Sequence, residues 1–390
     1  MEIPLRKKTM DLSTEAILEA LKLVNDPELN RSIVELGMIK NISVKEAIVH
    51  VEVALTTQGC PLKGKIEEDI KAAIQEIGEP SEIKVEFGVM SDDERAKVRE
   101  LIHGDPSSTA GSQPSHGHAE GRVIPFADPA SNTRVLLIAS GKGGVGKSSV
   151  STNLSIALAN RGKEVGIVDA DVWGFSIPKM MGLDQPPTVI DDLLIPPKKY
   201  GVKAISMGFF AREDQPVIWR GPMLHKALEQ FLTDVYWEDL DYLLIDLPPG
   251  TGDIALSLAQ FLPRSELYVV TTPQPAAQRV AQRAAFMARN VNLEVKGVIE
   301  NMSWFTGDDN KKYHLFGQGG GEELAERLEV PLIGQIPLIP EVREGSDTGD
   351  PIVAAMPESE AGEIFAKISE TIDIDLAPTR RYNKGLKLLQ

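Results

Sequence analysis

Cysteine is almost absent: the 390 residues contain one, Cys60. That excludes an intramolecular disulfide framework and suits a reducing compartment. No apolar run approaches the roughly 18 residues that a membrane span needs. The basic residues of the first ten positions have no apolar stretch behind them, so no secretory signal is expected. Positive charge is in deficit, with 41 Lys and Arg against 57 Asp and Glu and a formal net charge of −16. A surface of that sign argues against nucleic-acid binding. What is present is ordinary: 42% hydrophobic and 25% charged residues, with length enough for two or three domains. A cytoplasmic protein is expected.

A composition break runs over residues 104–132, "GDPSSTAGSQPSHGHAEGRVIPFADPASN". Gly, Ser, Pro and Ala dominate without apolar periodicity, which marks a flexible linker. His116 and His118 fall inside it without a Cys, further His or acidic cluster beside them, so they read as solvated linker residues. Residues 11–103 form a small module. "STEAILEALKLV" has helical spacing with Ser13 as N-cap. "GMIKNISVKEAIVHVEVALTT" alternates like a hairpin turning near Lys45 and Glu46. A helix over 61–77, a strand near "EIKVEFGV" and a helix over 91–102 complete an α+β module of antiparallel pattern. Over 133–372, the runs "RVLLIAS", "EVGIVDAD", "YLLIDLPP", "ELYVVTTP", "VKGVIENM" and "VPLIGQIP" alternate with helical stretches. Near-continuous Val/Ile/Leu strands of this kind predict an α/β domain, a parallel sheet covered by helices on both faces. Residues 373–390 read as a solvated tail, too poor in apolar residues for stable membrane association.

The polar residues of the second domain gather at strand ends, where ligands bind in such sheets. "IASGKGGVGKSSV" contains Gly141, Lys142, Gly143, Gly144, Val145 and Gly146, followed by Lys147, Ser148 and Ser149. The first six satisfy G-x-G-x-x-G, and Asp169 ends a strand about 20 residues on, as in a dinucleotide-binding fold. Against that reading, Lys147 and Ser148 complete G-x-x-x-x-G-K-[ST], and "DYLLIDLPPGTGD" supplies a strand ending in the acid Asp246. A P-loop is therefore expected, with glycine N–H groups turned onto phosphates and a helix N-terminus aimed at them. Lys147 would face the β/γ-phosphates, Ser148 would ligate Mg²⁺, and Asp246 would act on the metal side. Taken alone, Lys142 is a solvent-facing loop lysine.

"KGGVGKSS" resembles the deviant Walker A motif of the MinD/ParA-like ATPases, which implies that Lys142 reaches the γ-phosphate of a partner subunit. "VDADVWGFSIPKMMG", "LIDLPPGTGD", "VTTPQPAA" and "GVIENMSWF" resemble the Mrp-type iron–sulfur cluster carrier ATPases. "NDPEL", "GMIKNI" and "TTQGCPL" resemble the PaaD/SufT-like iron–sulfur assembly domain. By that resemblance Asp169 would support the Mg²⁺ shell, and Asp171 would orient the attacking water with Lys142 and Lys147 in the catalytic set. Asn301 would read the adenine edge. Phe175 stands where many relatives have proline. The implied activity is that of a slow ATPase, since no arginine-finger motif is visible. The implied role is that of an iron–sulfur cluster carrier or maturation factor: a homodimer through its nucleotide face, with ATP and Mg²⁺ as cofactors and assembly proteins or apoproteins as partners. The other class is a MinD/ParA-like protein switch without a cluster.

One departure bears on that choice. The carriers have a C-x-x-C beyond the E-N-M-S stretch, where this chain has Gly307 and Asn310. His314 is nearby, as are Asp308 and Asp309, whose hard oxygen ligands suit iron–sulfur clusters badly. Two copies of Cys60 supply half of the four thiolates a cluster normally takes. Cys60 has two readings: a small buried residue, or a thiol activated by the helix that follows it.

Overall fold

The computed structural model describes residues 12–378 apart from residues 28, 30, 46, 57–62, 104–123, 191–192, 211–220 and 251–252. Cys60, Glu46, His116, His118 and the tail beyond residue 378 lie outside the described residues. The chain divides into two compact units, residues 1–116 with 187–195, and residues 117–186 with 196–390.

In the first unit, helix α1 (Thr14–Leu21) starts at Ser13, whose Oγ accepts from the Ala16 amide at 3.1 Å, as an N-cap should. Strands β1 (Ile39–Lys45) and β2 (Ile48–Leu55) pair antiparallel around Ala47, which carries φ 64°. Helix α2 (Lys63–Ile77) buries Ile66, Ile70 and Ile74 at helical spacing. Strand β3 (Glu82–Val89) then pairs with β2 in parallel, not antiparallel as the sequence pattern suggests. The reason is α2: a helix between two neighbouring strands returns the chain to the starting edge, so the second strand runs in the same direction. At the start of helix α3 (Asp92–His103), Glu94 Oε2 reaches back to accept from the Ser91 amide and hydroxyl at 2.9 and 3.0 Å, one half of a capping box. A short antiparallel hairpin, Thr188–Ile190 with Leu193–Ile195, is grouped with this unit although it lies far along the chain.

The second unit is built on an eight-stranded sheet. Its strands are β4 (Arg134–Ser140), β5 (Val165–Asp169), β6 (Lys198–Lys199), β7 (Val202–Ser206), β8 (Tyr242–Asp246), β9 (Glu266–Thr271), β10 (Glu294–Asn301) and β11 (Leu332–Ile336). They lie in the order β6-β7-β5-β8-β4-β9-β10-β11, all parallel except the two-residue β6. Helix α4 (Lys147–Asn160) and a helix over Glu360–Glu370 cover one face, burying Leu154 and Phe365 against Leu136, Leu244 and Tyr268. A helix over Pro275–Asn290 covers the other, where Ala284 and Met287 meet Ala139 and Leu267. The expected α/β sandwich is present. Strand β7 escaped the sequence reading because Lys203 interrupts its apolar run. That lysine is nevertheless buried, with Nζ 2.9 Å from the Trp237 carbonyl and 2.6 Å from Glu238.

At the N-terminal ends of the central strands, Arg134 grips Glu266 with two bonds of 3.0 and 2.7 Å. Its remaining donors reach the Tyr242 hydroxyl and the carbonyls of Ile372 and Leu376. Asp373, where the sequence pattern starts the tail, accepts from Tyr242 at 2.6 Å. This buried network pins the C-terminal segment to the sheet. Replacing Arg134 with methionine strips the buried Glu266 of its cation, leaving it only the Tyr268 hydroxyl at 2.9 Å, and is expected to cost about 3–5 kcal/mol in urea unfolding.

Candidate functional site

The glycine loop, Asp169, Asp171 and Asp246 all lie at the C-terminal ends of the central strands. Strand β4 runs into the loop 141–146, and α4 begins at Lys147 with Gly146 as its N-cap. Two glycines here are obligatory for different reasons. A Cβ at Gly141 would lie 2.2 Å from the Ala281 amide nitrogen, so only glycine lets the loop pass the neighbouring helix. Gly146 has φ 78° and a Cβ there would lie 2.2 Å from Asn301 Nδ2. The loop floors a cavity of about 520 Å³ whose lining includes Lys142, Lys147, Ser148, Asp171, Trp173 and Pro248. That volume is within the range of small-molecule sites.

Parallel register sets Asp246 beside Asp169 at the ends of β8 and β5. Both are fully buried. Lys147 Nζ lies 2.5 Å from Asp246 Oδ2, which also accepts from Ser148 Oγ at 2.6 Å. Burial and the Asp246 carboxylate push the Asp169 acid up to about 7, against the pull of the Ile177 and Ser176 amides and of Lys147. Asp169 is heavily used by the protein itself. Its oxygens accept from the amides of Asp171, Ser176 and Ile177 and from Ser206 Oγ, at 3.0 to 3.2 Å. It thereby shapes the loop that carries Asp171. The Asp171 carboxylate accepts from the amides of Trp173 and Gly174 at 3.2 and 3.0 Å and faces the cavity. Trp173 stands on the cavity rim, 75% exposed.

Two residues sit differently from their expected roles. Lys142 Nζ is held within its own chain by Gln274 Oε1 at 3.0 Å. Asn301 donates its amide to the Val145 carbonyl at 2.9 Å and is buried, so in this structure it braces the loop and does not line the cavity. Gln274 and Ser151, which donates to Asp246 Oδ1 at 2.5 Å, escaped the sequence reading. Only the fold brings either to its partner, and Ser151's single signal is its place one helical turn beyond Lys147.

The donors suit a magnesium nucleotide. Glycine amides, a buried ammonium and the helix start face one cavity, and the hydroxyl and carboxylates are hard oxygen donors. A family model described as the ParA-type NUBPL iron-transfer P-loop NTPase matches residues 131–373, and one described as an iron–sulfur cluster assembly protein matches residues 14–87. The chain belongs to the NUBPL-type iron-transfer P-loop NTPase family. The iron–sulfur cluster carrier protein of Mycobacterium tuberculosis is 46% identical over 383 residues, covering 94% of this chain and 97% of that protein. The carrier protein of Deinococcus radiodurans is 42% identical, covering 92% and 94%. A nucleotide-binding protein of Archaeoglobus fulgidus, solved in complex with ADP and with cobalt found, is 35% identical with a TM-score of 0.52. That match covers 60% of this chain and 93% of the other.

Within this P-loop NTPase the region of Gly307 and Asn310 is a small hairpin, Phe305–Thr306 with Lys312–Tyr313. Asp309 accepts from the Lys311 amide at 3.1 Å and from the Tyr313 hydroxyl at 3.0 Å, bracing the turn from within. A Cβ at Gly307 would lie 2.8 Å from the Tyr313 ring. Asp308 and His314 flank the same turn, and His314 Nδ1 lies 3.2 Å from the Ser303 carbonyl. Among the described residues no three His, Cys, Asp or Glu side chains are grouped to hold a metal ion. No described helix is long and apolar enough to cross a membrane.

Proposed function

We propose that this NTPase is a slowly hydrolysing, ATP-dependent iron–sulfur cluster carrier or maturation factor that acts on apoprotein clients. The observation that carries the reading is the pairing of Lys147, Ser148 and Asp246 under a glycine cradle, in a chain 46% identical to a named carrier. Gly141 to Ser149 would enclose the phosphates, with Lys147 on the β/γ side. Ser148 and Asp246 would hold Mg²⁺, and Asp169 would support that shell from behind. Mg²⁺ normally arrives with the phosphates and needs only one or two protein oxygens, so no preformed cage is required. The metal would supply charge neutralisation for the phosphates. Asp171 would orient the attacking water. Asn301 would release the Val145 carbonyl and read the adenine edge with its side-chain amide. Lys142 would leave Gln274 and bind a partner subunit's γ-phosphate, making nucleotide state a control on dimer geometry. That coupling is reciprocal, so client or cluster binding must feed back on ATP affinity.

The cluster is cargo here, and the hairpin at Gly307 offers no thiolate for it. Cys60 is the chain's one thiol, so a homodimer brings two ligands and the others come from a small thiol or a client. Anaerobic reconstitution with iron, sulfide and a small thiol tests this. The wild type is expected to retain iron and sulfide in near-equal amounts, and Cys60→Ala to lose both. Protein that never retains iron favours the second reading, a nucleotide-controlled protein switch without a cluster, for which the self-braced hairpin is the supporting observation.

A further inference from the structure

Asp246 divides its two oxygens between different neighbours. Oδ2 accepts from Lys147 and Ser148, which line the cavity. Oδ1 accepts from Ser151 Oγ at 2.5 Å, and Ser151 does not line the cavity. Ser151 is fully buried within α4, so it has no route to a ligand of its own. Its hydroxyl also lies 3.0 Å from the Lys147 carbonyl, the ordinary resting place for a serine inside a helix. One hydroxyl proton cannot fully serve both acceptors, and the shorter contact to a carboxylate is the stronger, charge-assisted one.

The torsion that turns a carboxylate plane is soft and two-fold. Without Ser151, Asp246 would turn both oxygens onto Lys147 and give up the orientation that presents Oδ2 beside Ser148. We infer that Ser151 is a positioning residue for Mg²⁺: it holds Oδ1 and so fixes Asp246 Oδ2 toward the metal. The inference rests on the proposed role of Asp246 beside Mg²⁺. It goes beyond that role by assigning metal affinity to a hydroxyl that touches neither metal nor nucleotide.

The test is the Mg²⁺ concentration at half-maximal ATP binding, measured beside ATP binding in EDTA, for the wild type, Ser151→Ala and Ser151→Thr. In Ser151→Ala the loss of one charge-assisted bond is expected to raise the Mg²⁺ half-point by about tenfold. Binding in EDTA should stay within about twofold, because the bond acts on the metal side only. Ser151→Thr keeps the hydroxyl and should keep the wild-type half-point. An unchanged half-point in Ser151→Ala overturns the inference, as does an equal loss of affinity in EDTA. If Ser151→Ala does not fold, Ser151→Cys, isosteric with a weak donor, must show a raised half-point, and a wild-type value there overturns the assignment. A wild type that takes up no ATP under any condition removes the nucleotide reading itself, a result distinct from either.

Discussion

Lys147→Ala is expected to weaken ATP binding by about 100-fold or more, the cost of removing one member of a desolvated charge contact. The same change should destabilise the folded protein. Lys147 is the cation beside Asp246, which is fully buried next to a second buried acid, Asp169. Stripping the cation from a buried pair costs about 3–5 kcal/mol. Loss of binding through simple unfolding must therefore be separated from loss of the phosphate contact. The double variant Lys147→Ala with Asp246→Asn does this, because it removes the orphaned charge together with the lysine. It should recover most of the unfolding free energy in urea while still binding ATP far more weakly than Asp246→Asn alone in calorimetric titration. Recovery of ATP affinity in the double variant would mean that Lys147 serves only to neutralise Asp246, and the proposed phosphate contact would be lost with it.

The same pair explains why parts of this site were readable before any fold was known. Gly141 to Ser148 are contiguous, and the motif itself is local: positive φ at Gly146 and a lysine and hydroxyl at a helix start, although the neighbours that require glycine at Gly141 and Gly146, Ala281 and Asn301, come from far along the chain. Asp246 was readable because an apolar strand ending in an acid leaves few other roles for it. Asp169 was readable as a strand-end acid, but its hydrogen bonds to the following loop were not, because they depend on how residues 171–177 turn back. Ser151 and Gln274 have no local signature. One is 95 residues from its acid and the other 132 from its lysine, and only the sheet order joins them. The fold shows the same division. Apolar strands of the second unit announced themselves, whereas β7 hid behind Lys203, whose charge is met by groups more than 30 residues away. In the first unit, the parallel direction of β3 follows from the helix before it, which alternation within a strand cannot report.

Lys142→Ala is expected to abolish ATP-dependent dimerisation while leaving ATP affinity within a few-fold of wild type. The structure gives the reason for the split. Lys147 is held by Asp246 at the start of α4, whereas Lys142 is tied to Gln274 at the start of a neighbouring helix. An amide oxygen is a neutral acceptor, and a hydrogen bond from lysine to it contributes about 1.5–3 kcal/mol. A γ-phosphate carries formal charge, and in a closed interface its attraction for an ammonium exceeds that of an amide. On the proposed reading, the lysine's resting partner is one that a triphosphate would outcompete and a diphosphate, lacking the γ-oxygens, would not. Light scattering with ATP, ADP and no nucleotide should show a wild-type dimer with ATP alone and a monomeric variant throughout. Gln274→Ala, which removes the resting partner, should shift the wild-type response the other way, toward dimerisation at lower ATP. A Lys142→Ala protein that dimerises with ATP as the wild type does would place the dimer switch elsewhere on the nucleotide face.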